Sequence, residues 1–499
     1  MPRTGAPRIF VTLAARSLPA LEAQAARLVG APVGLELRLD HLRETLNFED
    51  ELRQILTRLH YPVSIATCRR VEAGGLFAGT IESQAEILQS AVRAGCQWVD
   101  LEIESVTRGA KALLRQFRPA KLMVSFHDYR KMPEIGAVYK RMSRLPVEII
   151  KVAGHARKLR DNLPVFKALK SHYKRDPKLV ALAMGSSGVP SRLLALRYGS
   201  PFTYAAPHNH QAAAPGQLPF EVMKSTYRVE RLDKHTQLYG VVGSRASVSL
   251  SPAMHNAALV AKRENAVYLP CETDTLGDFL EFARKLDFQG FSVTMPFKQG
   301  IIRHLNWLDP LAAKIGACNT VTIRRGQWMG WNTDAAAVVE VLTKRLRLPG
   351  SRILVLGAGG AGRGAAFALR AEGAEVILSA RRESSARRLA RAISAATVPW
   401  NSSEGLDVDA VINATPVGMA PYADTLPVDL SRLRVRVVFD MVYYPLETRL
   451  LADARGRGLT TISGLEMLVA QGARQFEIWT GESAPRALME QAVRQTLGD

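Results

Sequence analysis

Short apolar runs recur along the first part of the chain: RIFVTL (8–13), GLELRLD (34–40), VSIATC (63–68), WVDLEI (98–103), KLMVSF (121–126), VEIIKVA (147–153), VALAM (180–184) and FTYAA (202–206). Between them, segments such as EAQAARLV, FEDELRQILTRL and QAEILQSAVRAG place apolar residues three or four apart, as one face of a helix requires. Eight such alternations within about 200 residues predict a (β/α)8 barrel, whose chemistry sits at the C-terminal ends of its strands.

Beyond this the pattern changes. Residues 223–236 turn polar and charged and read as a linker. RILVLGAGGAGRGAAFALRAEG (352–373) then predicts a strand, a glycine turn and a helix. Gly357, Gly359 and Gly362 have the spacing that lets a backbone approach a pyrophosphate at a helix N-terminus, with Ala358, Gly360 and Ala361 completing the turn. An acid near the end of the next strand would select the ribose hydroxyls of NAD. Here that strand, EVILSARR, offers Ser379, Arg381 and Arg382, which suit a 2′-phosphate and hence NADP(H). A solvated helix start accounts equally well for Arg382.

Composition narrows the class. With 47% apolar and 22% charged residues over 499 positions, the chain reads as globular and multidomain. No run approaches the roughly 18–20 uncharged apolar residues of a membrane span. The opening PRTGAPRIFVTLAAR has too short an apolar run for a signal peptide and enters a strand by Arg8, so a cytoplasmic location is expected. Cys68, Cys96, Cys271 and Cys318 are too widely spaced for a zinc knuckle or disulfide framework; buried thiols and no metal are expected. The net charge of +20 is spread over scattered arginines, which favours small anionic substrates over nucleic acid. His208, Asn209 and His210 read as loop.

The strand ends of the barrel carry the first candidate chemistry. Glu36 and Arg38 are two apart and share a face. Arg69 closes the third strand region, His127 follows the fifth strand, and Lys151 lies inside the sixth. Lys151 is flanked by Ile149, Ile150, Val152 and Ala153. Burial disfavours the charged form of an amine and makes it a usable nucleophile. A strand-end lysine that snorkels or pairs with an acid is the competing reading.

The segments GLELRLD, TCRR…GG, SFHDY, IIKVA, SGVPSR, GSPFTY and APGQ together resemble type I 3-dehydroquinate dehydratase over residues 1–222. The resemblance implies that Lys151 forms an iminium with the substrate ketone. It implies that His127 removes the adjacent C–H proton and then protonates the departing hydroxyl. Thr12, Glu36, Arg38, Arg69, Arg192 and Gln217 match substrate-holding positions, with Arg192 as the carboxylate partner. Two departures stand out. Ala73 occupies the place of an acid that would hydrogen-bond the histidine, with Glu72 one residue early, and Ala213 replaces a lid serine.

YGVVGSRASVSLSPAMHN (239–256), SVTMPFK (292–298), GACNTV (316–321), GWNTD (330–334), NATPVGM (413–419), DMVYYP (440–445) and GLEMLVAQG (464–472) resemble shikimate dehydrogenase. That family implies a substrate lobe (237–340), a Rossmann NADP lobe (341–462) and C-terminal helices returning to the substrate lobe (463–499). It also implies roles. Ser249 and Ser251 would hold a carboxylate. Lys298 would exchange a proton with the carbonyl oxygen being reduced, and Asp334 would pair with it. Thr294, Asn319, Tyr443 and Gln471 would complete the substrate lining, and Thr415, Met441 and Gly464 would face the cofactor. Val248, Ser292 and Arg449 depart from the family pattern without touching the Lys298–Asp334 pair.

Together the halves imply a bifunctional enzyme of the shikimate pathway acting on 3-dehydroquinate, 3-dehydroshikimate and shikimate. A silent sensor of the same architecture, favoured by Ala73 and Ala213, is one alternative. A rear half that oxidises quinate with NAD is another.

Overall fold

The computed structural model describes residues 7–43, 48–106, 110–208, 212–400 and 405–498, so Asn209 and His210 of the expected loop lie outside the described residues. The chain divides into two compact units, residues 1–238 with 265–287 and residues 239–264 with 288–499.

In the first unit, β1 (Ile9–Leu13), β2 (Gly34–Arg38), β3 (Ser64–Thr67), β4 (Trp98–Glu102), β5 (Lys121–Asp128), β6 (Ile149–His155), β7 (Lys178–Met184) and β8 (Thr203–Ala205) match the repeating apolar runs. They lie in the order β7-β6-β5-β4-β3-β2-β1-β8, with parallel neighbours, as a near-closed barrel. One boundary differs from expectation: β5 extends to Asp128, so His127 lies within the strand rather than after it. Parallel neighbours need crossover helices. Ile81–Ala94 shows how the sequence supplies one. The Thr80 hydroxyl caps its start, Ala85, Leu88 and Ala91 are buried, and Gly95 ends it at φ 119°.

The inward faces of the barrel strands are layered. Phe10, Ile65, Met123, Ile149 and Phe202 pack as an apolar plug, with the Phe10 and Phe202 ring centroids 4.5 Å apart. Two residues further along the same strands stand Thr12, Thr67, Ser125, Lys151 and Tyr204. The strand period of two carries these onto the same face, one layer nearer the C-terminal end.

Most of β9 (Gln237–Gly243) belongs to the second unit, and β10 (Ala266–Glu272) to the first. In the second unit β9 is followed across a mixed sheet by β11 (Phe288–Val293), β13 (Thr320–Arg324), β14 (Gln327–Trp331) and β12 (Trp307–Leu308). A parallel sheet runs in the order β17 (Ala396–Thr397), β16 (Glu375–Ser379), β15 (Arg352–Leu356), β18 (Ala410–Asn413), β19 (Val437–Asp440) and β20 (Thr460–Ile462). The chain starts in the middle, at β15, winds to one edge and restarts beside β15 with β18. That is the doubly wound order, and its switch point is where such sheets bind nucleotides. The helix Gly464–Thr480, opened by a Ser463–Glu466 capping box, reaches the mixed sheet: Trp479 Nε1 donates to Val321 O at 2.9 Å. Among the described residues, no helix is long and apolar enough to cross a membrane.

Candidate active sites

Besides Thr12, Thr67 and Ser125, the barrel layer above the apolar plug carries Glu36 (β2), Asp100 (β4), Lys151 (β6) and Tyr204 (β8). Lys151 Nζ donates to Glu36 Oε1 at 2.9 Å and to Asp100 Oδ2 at 3.1 Å, and stands 4.1 Å from the Tyr204 ring centroid. The apolar neighbours of Lys151 in sequence therefore describe only its strand; in space the amine has two carboxylate partners. Both acids are held ionised. Burial alone would raise them, but Lys151 and Arg69 outweigh it and bring both carboxyls below their ordinary values.

Thr12, Glu36, Arg38, Arg69, His127, Lys151, Arg192 and Gln217, all expected at this site, line one cavity of about 40 Å³. Its three arginines differ in what neutralises them. Arg38 makes a two-pronged contact with Asp40, at 2.9 and 2.7 Å. Arg69 donates to Asp100 at 2.9 Å. Arg192 has no carboxylate partner among the described residues; its Nη2 donates to Pro215 O at 3.3 Å and its Nε is unpaired. Burial lowers its pKa to about 10. An unneutralised, 1% exposed guanidinium is a receptor for an anion.

His127 is held neutral. Burial, then the charges of Arg69, Lys151, Arg38 and Arg192, push it well below the usual histidine range. Ala73 is buried, and Glu72 does not stand in for the missing acid: it is exposed and paired with Arg70 at 3.1 Å. The lid is held by Gln217, whose Oε1 accepts from Ala213 N at 3.0 Å and whose Nε2 donates to Thr12 at 3.1 Å. Sequence reasoning missed Asp100 and Tyr204. The signal for Asp100 was present: Asp100 and Glu102 form the same two-apart charged pair in an apolar strand as Glu36 and Arg38.

In the second unit, Ser249, Ser251, Thr294, Lys298, Asn319, Asp334, Tyr443 and Gln471 line a cavity of about 200 Å³. Lys298 Nζ donates to Asp334 Oδ2 at 2.6 Å. Local folding places this pair. Asn332 caps the helix Thr333–Thr343, accepting from Ala335 N at 3.0 Å, and so puts Asp334 in the first turn, where a negative charge is favoured. Asn319 Oδ1 accepts from Thr333 N at 2.8 Å and Thr320 Oγ1 at 2.8 Å, so its amide holds the neighbouring loops together. Gln475, absent from the sequence expectations, also lines the cavity; it accepts from Ser292 at 2.8 Å.

Ala361, Met441 and Gly464, expected at the cofactor, line this same cavity, joining the glycine turn to the substrate residues. The turn itself fits a dinucleotide. Gly357 has φ +105°, and a Cβ on Gly362 would fall 2.0 Å from Gly357 O, whereas Gly359 and Gly360 face open space. Ala358, Gly359 and Gly360 line a second cavity of about 420 Å³ with Arg363, Ser385 and Arg388. Arg381 and Arg382 are exposed and do not line it. The Ser379 hydroxyl is buried and donates to Pro399 O at 3.3 Å, and Thr415 Oγ1 donates to Asn413 Oδ1 at 2.6 Å. Arg388 was not anticipated, because it lies about two helical turns beyond the expected strand-end position.

Family models match in three places: type I 3-dehydroquinase over residues 9–234, the shikimate dehydrogenase substrate binding domain over 241–321, and the shikimate 5′-dehydrogenase C-terminal domain over 464–494. A bifunctional 3-dehydroquinate dehydratase/shikimate dehydrogenase of Arabidopsis thaliana is 31% identical, covering 94% of this chain and 81% of that protein. An NADP(+) shikimate dehydrogenase of Thermococcus kodakarensis is 41% identical, covering 54% of this chain and 99% of its own. A shikimate 5-dehydrogenase of Thermus thermophilus, solved with NADP(H) and shikimate, is 36% identical over 52% of this chain and 99% of its own, with a TM-score of 0.49.

Proposed function

We propose, from the premise that this chain belongs to the bifunctional 3-dehydroquinate dehydratase/shikimate dehydrogenase family, a role for each side chain at its two sites. The chain dehydrates 3-dehydroquinate to 3-dehydroshikimate and reduces that product to shikimate with NADPH.

In the barrel, Lys151 is the nucleophile. Its ammonium and the substrate ketone combine to an iminium and one water, and the carboxylates of Glu36 and Asp100, within hydrogen-bond reach, stay ionised beside that positive charge. Arg192 receives the substrate carboxylate. His127 removes the C–H proton beside the iminium and returns it to the leaving hydroxyl, and water then hydrolyses the iminium to free the product and restore Lys151. The single observation that carries this reading is the Lys151–Glu36–Asp100 cluster in the same cavity as His127 and the unpaired Arg192.

In the second unit, Ser249 and Ser251 hold the carboxylate, and Lys298, steadied by Asp334, delivers a proton to the carbonyl oxygen. NADPH supplies the hydride when bound. The glycine turn from Gly357 to Gly362 would hold its pyrophosphate, with Ala361, Met441, Gly464 and Thr415 beside the nicotinamide end. Arg381, Arg382 and Arg388 supply positive charge for the 2′-phosphate.

We assign the barrel to residues 1–222, a linker to 223–236, the substrate lobe to 237–340, the NADP lobe to 341–462 and the returning helices to 463–499. Four buried free cysteines suit a reducing compartment, cytoplasmic in this reading. Mixing the chain with 3-dehydroquinate and NADPH and following intermediate and product tests both sites at once. No shikimate formation would overturn the assignment.

A further inference from the structure

Arg69 makes one contact that holding substrate does not explain. Its Nη1 lies 2.7 Å from Nδ1 of His127. A guanidinium has five N–H donors, no acceptor and a permanent charge. Arg69 therefore donates and Nδ1 accepts. A neutral imidazole carries a single ring proton, so with Nδ1 accepting that proton sits on Nε2. Neither nitrogen then has a lone pair to offer a C–H bond: one is covered by Arg69 and the other is already protonated.

A second, independent observation is that Arg69, His127 and Lys151 line one cavity. A substrate oxygen that enters beside Lys151 therefore competes with Nδ1 for the Arg69 guanidinium. Its other anchor permits this. Nη2 is tied to Asp100 Oδ2 at 2.9 Å, so Nη1 can swing off the imidazole while the ion pair persists. Ser125 Oγ, on the same strand as His127, already accepts from Nη1 at 3.3 Å and can keep it once Nδ1 is released.

We infer that Arg69 is a positioning residue that caps His127, and that proton abstraction begins only once a substrate oxygen has drawn Nη1 away from Nδ1. The inference rests on the reading of His127 as the base. The exchange is balanced: as Arg69 leaves, Nδ1 takes a proton from water and Nε2 releases one to water. The freed Nε2 then accepts the C–H proton. An acid on Nδ1 would fix the reactive tautomer permanently; with alanine at position 73, an arginine fixes the opposite one until substrate arrives.

The test is ¹⁵N NMR of the full-length chain labelled at histidine, with the His127 signals identified by their loss in His127→Gln. The expected result is a pyridine-like Nδ1 and a protonated Nε2. The chain is then treated with 3-dehydroquinate and borohydride, which fixes the iminium as an amine on Lys151, and the spectrum is repeated. The two signals should exchange character. Arg69→Met should lose the fixed tautomer without any ligand. Trapping at Lys151 with Nδ1 already protonated in the untreated chain, or with no exchange in the adduct, overturns the cap and leaves the Schiff-base reading standing. Failure to trap Lys151 overturns that reading, and the catalytic meaning of the cap with it.

Discussion

Nζ of Lys151 stands 3.1 Å from Oδ2 of Asp100, the same oxygen that accepts from Arg69 at 2.9 Å. One carboxylate oxygen thus ties the proposed nucleophile of the barrel to the arginine that covers its proposed base. All three side chains are buried. Contacts of this kind cost little while complete and much when cut, because the remaining charges are left without solvent.

Asp100→Ala should therefore destabilise the barrel by about 3–5 kcal/mol. Urea unfolding followed on the full chain reads this, and a loss under about 1 kcal/mol would show that Lys151 and Arg69 find other partners. Dehydratase rate should fall with it, and shikimate oxidation should not.

Arg192→Met should raise KM for 3-dehydroquinate by about 10- to 150-fold, the equivalent of a charged hydrogen bond worth about 1.5–3 kcal/mol. The guanidinium has no carboxylate partner among the described residues, so its removal leaves no orphaned acid and the fold should hold. An unchanged KM would move the carboxylate to Arg38 or Arg69.

Lys298→Ala should lower kcat for shikimate oxidation by about 10²–10⁴, the usual worth of positioned proton transfer. NADP+ affinity and dehydratase activity should persist. A comparable fall in dehydratase rate would show that the two sites are not independent.

Arg381→Ala and Arg388→Ala should each weaken NADP+ binding by about tenfold or more while leaving NAD+ unaffected, since each removes a cation offered to the 2′-phosphate. Equilibrium binding by nicotinamide fluorescence separates them. If only Arg388→Ala has an effect, the cavity beside Gly359 and Gly360 holds the 2′-phosphate and the strand-end arginines do not.

Stability should fall as the medium is acidified from about pH 6.5. His127 and His255 are buried neutral, with folded pKa values well below ordinary for His127 and about 3 for His255, chiefly through burial. Below about pH 6.5 the unfolded chain takes up protons that the fold refuses, at up to about 1.4 kcal/mol per pH unit for each group. Glu36 and Asp100, lowered by Lys151 and Arg69, add a further loss below about pH 4, since the support they give is full above their unfolded values and disappears as they protonate. Thermal melts between pH 8 and pH 4 check this; replacing His255 with Asn should flatten the slope in the second unit.

Much of the molecule was legible in advance because it depends on local periodicity. The eight strand runs, the glycine turn and the strand-to-helix order are properties of adjacent residues. So is the two-apart spacing that puts Glu36 and Arg38 on one face. The motifs around Lys298 and Asp334 each fix one member of the pair, and the helix cap at Asn332 could be read from the same short string.

What sequence left open depends on which strands become neighbours. The layer of Glu36, Asp100, Lys151 and Tyr204 comes from four strands far apart in the chain, and barrel closure alone brings their side chains within hydrogen-bond or ring contact. The apolar residues flanking Lys151 suggested an isolated amine, and the fold supplied it with two acids. Likewise, the sequence shows that Ala73 cannot support His127, but only the packing of β3 against β5 through β4 reveals that Arg69 covers the imidazole. Identity, order and spacing determined the elements and most of the residues that line the two cavities. The electrostatic state of those residues was decided by tertiary contact, because charge interactions act through space and are strongest where the fold excludes water.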